Sequence, residues 1–261
     1  MSSTSGDDHV AVVGAGLAGS LLAVYLARRG YYVDLFEKRP DFRKEEQQGH
    51  DDVVGRLSDS QKRSINLALS HRGREGLRAL GLEDKVMQQT VPMKCRAIHS
   101  KDGKMSYQPY GTKGEHINSV SRQMLNHLLL DEADKYPKVR THFGCKITAI
   151  SKSANLEFTK QDGTKESKTF RCVFGADGAY SIVREAILRY SRANFSREYI
   201  DHGYKELTMP PGDDGDYVLP NPHALHIWPR HEFMMIALPN PDKTFTCTMF
   251  APYETCKWVL V

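Results

Sequence analysis

The chain begins its structured sequence with a short apolar run, His9 to Val13, followed at once by Gly14-Ala-Gly16-Leu-Ala-Gly19. A helical pattern carrying Leu21, Leu22, Tyr25 and Leu26 comes next and ends at Arg28-Arg29-Gly30, where Gly30 fits a helix C-terminus. Tyr32 to Phe36 reads as a second strand and stops at an acid, Glu37. Strand, GxGxxG, helix, strand and acid form a βαβ unit built to hold a dinucleotide. Gly14 allows the tight turn, Gly16 lets the backbone approach a pyrophosphate, and Gly19 lets helix and strand pack closely. The helix N-terminus supplies unpaired N–H groups and a positive dipole end for the phosphates. Glu37 can accept both hydroxyls of an adenosine ribose, and its charge would repel a 2′-phosphate. The first-bound nucleotide is therefore expected to be FAD or NAD rather than NADP.

Other classes are excluded more simply. The run from Val10 to Ala27 is uncharged, but Asp7 and Asp8 precede it in place of basic residues and its glycines have their own explanation; neither a signal peptide nor a membrane span is expected there. A net charge of +4 with both signs mixed along 261 residues does not suggest a nucleic-acid binder. The cysteines (95, 145, 172, 247 and 256) are dispersed and form no CxxC pair, so reduced thiols are expected rather than a disulfide framework or a zinc site. His223 and His226 make an HxxH, but on a strand that spacing puts them on opposite faces, and no metal is expected.

Further along, Arg43 to Arg63 reads as a solvated loop. Ser70 is expected to cap a helix from His71 to Leu80, stopped by Gly81, and Ser121 to cap one from Arg122 to about Lys135 with Met124, Leu125, Leu128 and Leu129 on one face. Met93–His99 and Met105–Tyr110 are expected to pair across Lys101-Asp-Gly103. Strands are also expected at 118–120, 139–143, 147–150, 156–158 and 169–174. Gly175-Ala-Asp177-Gly178 then opens a helix at Tyr180 to Leu188, with Asp177 placed to cap it. Beyond Tyr199 the pattern changes to strand-like runs (204–209, 217–219, 225–228, 233–238 and 245–250) separated by turns, which is an antiparallel sheet without helices.

The segment Phe174-Gly-Ala-Asp177-Gly178-Ala-Tyr-Ser-Ile-Val-Arg184, far from the first glycines, resembles the Asp-Gly motif of the class A flavoprotein monooxygenases of the p-hydroxybenzoate hydroxylase type. Five more strings bring the resemblance to the kynurenine 3-monooxygenase family: Arg63-Ser-Ile-Asn-Leu-Ala-Leu-Ser-His-Arg72, Pro92-Met-Lys-Cys-Arg96-Ala-Ile-His99, Tyr110-Gly111, Leu225-His-Ile-Trp-Pro-Arg230 and Phe233-Met-Met-Ile-Ala-Leu-Pro-Asn240. It runs from about Val10 to Phe250.

That resemblance implies an α/β Rossmann-like FAD-binding part over 8–200, with substrate-side strands at about 91–115 inserted. An antiparallel substrate-side sheet, incomplete, would follow over 201–261. Beside Gly14, Gly16, Gly19 and Glu37, it implies flavin contacts at Ala18, Phe36, Lys38, Arg39, Ala68, Arg122 and Ile147, with Arg39 and Arg122 suited to the diphosphate. It also implies that Arg96 and Tyr110 hold the carboxylate of L-kynurenine, and that Leu225, Ile236, Leu238 and Phe250 line the pocket for its ring. Planar, bidentate Arg suits a carboxylate, and a phenol adds a directed donor. The implied reaction is 3-hydroxylation in tryptophan degradation, towards NAD synthesis. NADPH reduces FAD, O2 adds to give a flavin hydroperoxide, and its distal oxygen passes to the ring; no side chain serves as acid, base or nucleophile. The alternatives are a non-catalytic fragment of such an enzyme and a related hydroxylase of another aromatic ring.

Two departures from the family stand out. The loop around Glu45 to Asp59 is longer than usual. The chain also stops at Val261, before the family's second flavin motif and its C-terminal membrane anchor, so a C-terminally truncated form is expected. The family's eukaryotic location is the mitochondrial outer membrane; this chain alone would be soluble.

Overall fold

The computed structural model describes residues 8–44 and 66–254. From residue 45, the expected loop after Arg43, with its long Glu45–Asp59 stretch, lies outside them.

Strands β1 (His9–Val13) and β2 (Tyr32–Phe36) lie parallel, joined by helix α1 (Leu17–Arg28). Gly30, at φ +96°, takes the left-handed turn that ends the helix. β3 (Asn66–Leu69) is followed by α2 (His71–Arg78) and α3 (Glu83–Met87). Then come β4 (Val91–Met93), β5 (Cys95–His99), β6 (Met105–Pro109), β7 (Ile117–Ser121) and α4 (Arg122–Asp134). β8 (Val139–His142), β9 (Lys146–Ile150), β10 (Asn155–Thr159), β11 (Lys165–Thr169), β12 (Cys172–Gly175) and α5 (Ile182–Tyr190) follow. The last described elements are β13 (His202–Met209), β14 (Ala224–Arg230), β15 (Phe233–Pro239) and β16 (Phe245–Pro252).

The chain forms two compact units. One combines β1, α1 and β2 with Leu125–Ser196. Its centre is a four-stranded parallel sheet in the order β12-β1-β2-β8. Alternation along its strands feeds two cores. Val10, Val12, Val33 and Leu35 pack with Ala23, Leu26 and Ala27 of α1 and Leu130 of α4. Ala11, Val13 and Phe36 pack on the other side with Leu156 and Phe158 of the β11-β10-β9 sheet and Val183 of α5. The buried Asp34 of β2 accepts from His142 at 2.6 Å and from Lys168 of β11 at 2.5 Å, and His9 lies 3.1 Å away.

The other unit carries β3 to β7 and everything from Arg197. It holds a small sheet, β3-β7-β4, and a six-stranded sheet in the order β13-β16-β15-β14-β5-β6. All neighbours in the large sheet are antiparallel except β14 and β5, which run parallel with Leu225 opposite Arg96.

Several expected elements need correction. The single strand expected over Met93–His99 is two strands broken at Lys94, with β4 in the small sheet and β5 in the large one. The run 169–174 likewise divides, β11 closing the β10 hairpin and β12 joining β1 in parallel. An unbroken run of strand-forming sequence does not record which partner each half finds. Residues 217–219 form no strand; Tyr217 instead donates its hydroxyl to the Asn240 carbonyl at 2.5 Å and packs on Phe245. α2 ends at Arg78, and the Ser70 side chain makes no capping bond. Ser121 does cap α4, accepting from Met124 N at 3.2 Å. α5 starts at Ile182 rather than Tyr180, with Ser181 as its N-cap.

Candidate functional site

At the C-terminal end of the parallel sheet the two glycine motifs meet. Gly14 donates its N–H to the Phe36 carbonyl at 2.7 Å, and Ala176 donates to the Val13 carbonyl at 2.7 Å. These bonds seat the Gly14–Gly19 loop beside the Ala176-Asp177-Gly178 turn. The fit is tight. A Cβ on Gly14 would lie 2.5 Å from the Ala176 oxygen, and one on Gly19 would lie 1.8 Å from the Gly14 oxygen. Gly16 is different, because nothing lies within 4 Å of where its Cβ would stand. It opens the loop outward, as close approach of a pyrophosphate requires. No side chain caps α1 and its first turn holds no acid, so the helix presents its N-terminal N–H groups unscreened. Ala18 is exposed in that first turn.

Asp177 is part of the turn itself. Its Oδ1 accepts from the Ser181 hydroxyl at 2.5 Å and its Oδ2 from Ile182 N at 2.7 Å. Ser181 in turn accepts from Arg184 N at 3.0 Å. The expected cap is thus a two-residue device, with Asp177 fixing the rotamer of the capping serine.

Glu37 is buried at the end of β2. Its Oε2 accepts from Ala15 N at 3.1 Å and from Arg39 Nη2 at 3.2 Å. Its Oε1 accepts from Arg39 N at 3.0 Å and from Arg39 Nε at 2.9 Å. Burial pushes this carboxyl up, but the Arg39 and Ala15 bonds outweigh it and hold it below the usual carboxylate range. Lys38 is exposed beside it. Phe36 is core, stacked on His142 at 4.8 Å, so only its backbone faces the glycine loop. Ile147 of β9 is also buried in that core. Ala68 and Arg122 belong to the other unit, exposed on β3 and at the start of α4. The Gly14–Gly19 loop, α1 and Glu37 of the first unit suit a flavin dinucleotide: an open glycine, an uncapped helix and an acid aimed at the loop.

In the second unit, register decides which residues share a face. Arg96 pairs with Leu225, Ile227 with Ile236, Ile236 with Thr248, and Leu238 with Thr246. Alternation then places Arg96, Leu225, Ile236, Leu238 and Phe250 on one face of the large sheet. Beside them Arg96 sits over the Tyr110 ring, 4.6 Å from its centroid. The Tyr110 hydroxyl is buried without a hydrogen-bond partner, and burial pushes its pKa up against the opposing pull of Arg96. A cation, an orphaned phenol and an apolar wall on one sheet face can take a carboxylate attached to a ring.

Thr246 and Thr248 belong to the same face and are buried. They were not anticipated, although period-two alternation back from Phe250 would have found them. Asn240 donates to Thr246 Oγ1 at 3.0 Å and accepts from Asn66 of β3, which also bonds Ser119 Oγ at 3.1 Å, so the small sheet is tied to this edge. The two HxxH histidines have other partners. His223 donates to the Pro92 carbonyl at 3.1 Å, and His226 faces His99 on the opposite side of the sheet. Among the described residues no group of three His, Cys, Asp or Glu is placed to hold a metal, and cysteines 95, 145, 172 and 247 are free thiols.

Parallel sheet, open glycine loop and acid-terminated second strand define a dinucleotide-binding α/β protein. Residues 7–200 match the family model described as FAD binding domain, and the chain belongs to that family. It is 46% identical over 247 residues to kynurenine 3-monooxygenase of Sus scrofa, covering 94% of this chain and 49% of that protein. It is 44% identical over 250 residues to kynurenine 3-monooxygenase of Myxococcus xanthus, covering 95% of this chain and 51% of that protein. The chain thus spans about half the length of these curated relatives. Among solved structures, the tetrameric form of 2-methyl-3-hydroxypyridine-5-carboxylic acid oxygenase superposes with a TM-score of 0.74 at 20% identity, covering 95% of this chain and 60% of that one. PqsL of Pseudomonas aeruginosa, in complex with 2-aminobenzoylacetate, gives 0.70 at 19% identity, covering 95% and 62%. The fold is the FAD-binding domain fold of the flavin hydroxylases.

Proposed function

We propose that this chain is the FAD-binding and substrate-side part of an FAD-dependent hydroxylase that converts L-kynurenine to 3-hydroxykynurenine, consuming NADPH and O2. The observation that carries the reading is the single sheet face on which Arg96 and Tyr110 adjoin Leu225, Ile236, Leu238 and Phe250. Arg96 takes the carboxylate in a bidentate grip, and the orphaned Tyr110 hydroxyl donates the third bond. The apolar side chains hold the aromatic ring and keep water from it. The FAD would be held by the Gly14–Gly19 loop, Glu37, Lys38 and Arg39, with Ala18, Phe36, Ala68, Arg122 and Ile147 as further contacts. Reduced by NADPH, it would supply the oxygen chemistry. The Sus scrofa and Myxococcus xanthus relatives, both named for this activity, support the reading.

By the same likeness, a eukaryotic full-length form would be located at the mitochondrial outer membrane; among the described residues no helix is long and apolar enough to cross a membrane.

The test is a two-stage titration of the purified chain. FAD is added first and followed by quenching of its fluorescence, then L-kynurenine is added and followed by its perturbation of the bound flavin spectrum. Arg96→Met is expected to weaken L-kynurenine about 30-fold or more while leaving FAD affinity unchanged, and Tyr110→Phe to weaken it about fivefold. A chain that takes up FAD but binds L-kynurenine equally well with and without Arg96 would overturn the substrate assignment.

A further inference from the structure

Both oxygens of Glu37 are saturated by the protein itself. A carboxylate offers about four acceptor sites, and Ala15 N, Arg39 N, Arg39 Nε and Arg39 Nη2 fill them. A ribose diol brings two O–H donors to this acid and finds no vacancy. The two places it can take are those of the Arg39 side chain, Nε on one oxygen and Nη2 on the other. The backbone donors are fixed by the loop, whereas the Arg39 side chain is 50% exposed and free to leave.

We infer that Arg39 is an exchangeable stand-in for the nucleotide: its side chain fills one place on each Glu37 oxygen until the ribose displaces it, and then moves its charge to the diphosphate. The inference rests on the nucleotide reading of the Gly14–Glu37 loop and adds to it a side chain that changes partner on binding. The guanidinium does not have far to travel. It bonds an acid that touches the glycine loop, and α1 presents its uncapped N-terminus to an anion from that same loop. The arginine stays paired with an anion throughout, trading a carboxylate for a phosphate, while the carboxylate keeps its number of donors as the diol replaces the guanidinium.

An exchange predicts opposite signs for two ligands that differ only in phosphate. Adenosine has the diol and no phosphate, so it must evict Arg39 and gains nothing from the freed cation. ADP evicts it and recaptures the charge. Calorimetric titration of the chain and its Arg39→Met variant, with adenosine and with ADP, is the experiment. Arg39→Met is expected to bind adenosine about threefold tighter and ADP about tenfold weaker. Equal weakening of both ligands, or no change in either, would overturn the exchange while leaving the nucleotide site standing. Failure of the wild-type chain to bind adenosine, ADP or FAD would overturn the nucleotide reading and the exchange with it.

A second measurement needs no variant of uncertain folding. In 15N-labelled wild-type protein the Arg39 Nε–H resonance, protected by Glu37, is expected to shift and exchange faster with water on saturation with adenosine. An unmoved resonance at saturation would show that Arg39 stays on Glu37 and would sink the proposal.

Discussion

At the scale of single residues, the three glycines of the loop are not equivalent, and the difference is geometric. Gly14 combines φ +101° with a Cβ position 2.5 Å from the Ala176 oxygen. An alanine there is strained in its backbone and collides with a main chain that is itself hydrogen-bonded to β1. Gly14→Ala is expected to cost about 2–4 kcal/mol of stability, read as a lowered urea midpoint. Gly19→Ala is expected to be worse, since its Cβ would fall 1.8 Å from the Gly14 oxygen. Gly16→Ala meets nothing within 4 Å in the protein. It should change stability by less than about 1 kcal/mol and yet weaken FAD about tenfold, because the space its methyl takes is the ligand's. A Gly16→Ala variant that binds FAD like wild type would show that the pyrophosphate lies elsewhere.

At the scale of elements, β14 carries a histidine with no exposure to solvent. His226 Nε2 lies 3.2 Å from the Asn221 carbonyl, which can only accept, so the proton is on Nε2. Its Nδ1 therefore accepts from His99 Nε2 at 2.9 Å, and His99 stacks on Trp228. A second proton on His226 would go to Nδ1, the atom that accepts from His99, and would put a charge in a buried site. Burial, with the neighbouring His99, pushes its pKa down to about 4, against the opposing pull of the Asn221 carbonyl. A folded value below the ordinary 6.5 means the neutral ring stabilises fully above about 6.5, and that contribution is lost as pH falls through about 4. The wild-type unfolding free energy, read from urea titrations, should drop across this window by on the order of 2 kcal/mol more than that of His226→Gln, which cannot titrate. Parallel pH curves for the two proteins would show that the ring is solvated. The same elements mark where sequence reading succeeds and where it stops. The βαβ unit was legible because glycine spacing and the acid at its end are local. Ile236 and Leu238 could be set on one wall by alternation alone. That Arg96 joins that wall depends on a parallel pairing with Leu225 across 129 positions of chain, which no local pattern records. The breaks at Lys94 and after Thr169 were hidden for the same reason. Asp34 left a readable trace, a charge inside Tyr32–Phe36, but not the identity of His142 and Lys168 as its partners.

At the scale of the whole molecule, neither compact unit is continuous in sequence, and the chain passes between them at 62/63, 124/125 and 196/197. The region matching the FAD binding domain, residues 7–200, therefore includes all the described parallel sheet but only part of the six-stranded one. A polypeptide ending at Ile200 would retain β1, β2, β8 and β12 with both of their cores. It would also keep the β5–β6 hairpin, but strip β14 from β5 and leave β5 as an unpaired edge. A two-stranded ribbon is marginal in water, and an open edge invites association. Hydrogen exchange on such a fragment should leave β1 and β2 amides protected as in the full chain, while β5 amides lose about 100-fold or more of their protection. FAD should still protect the Gly14–Gly19 loop, and L-kynurenine should no longer bind, since Leu225, Ile236, Leu238 and Phe250 are gone. If β5 kept its full protection in the fragment, the hairpin would be held by the β3-β7-β4 side rather than by β14. Arg96 would then owe its place to the inserted strands alone, and the substrate face would be a property of the first 200 residues rather than of the sheet completed by β13 to β16.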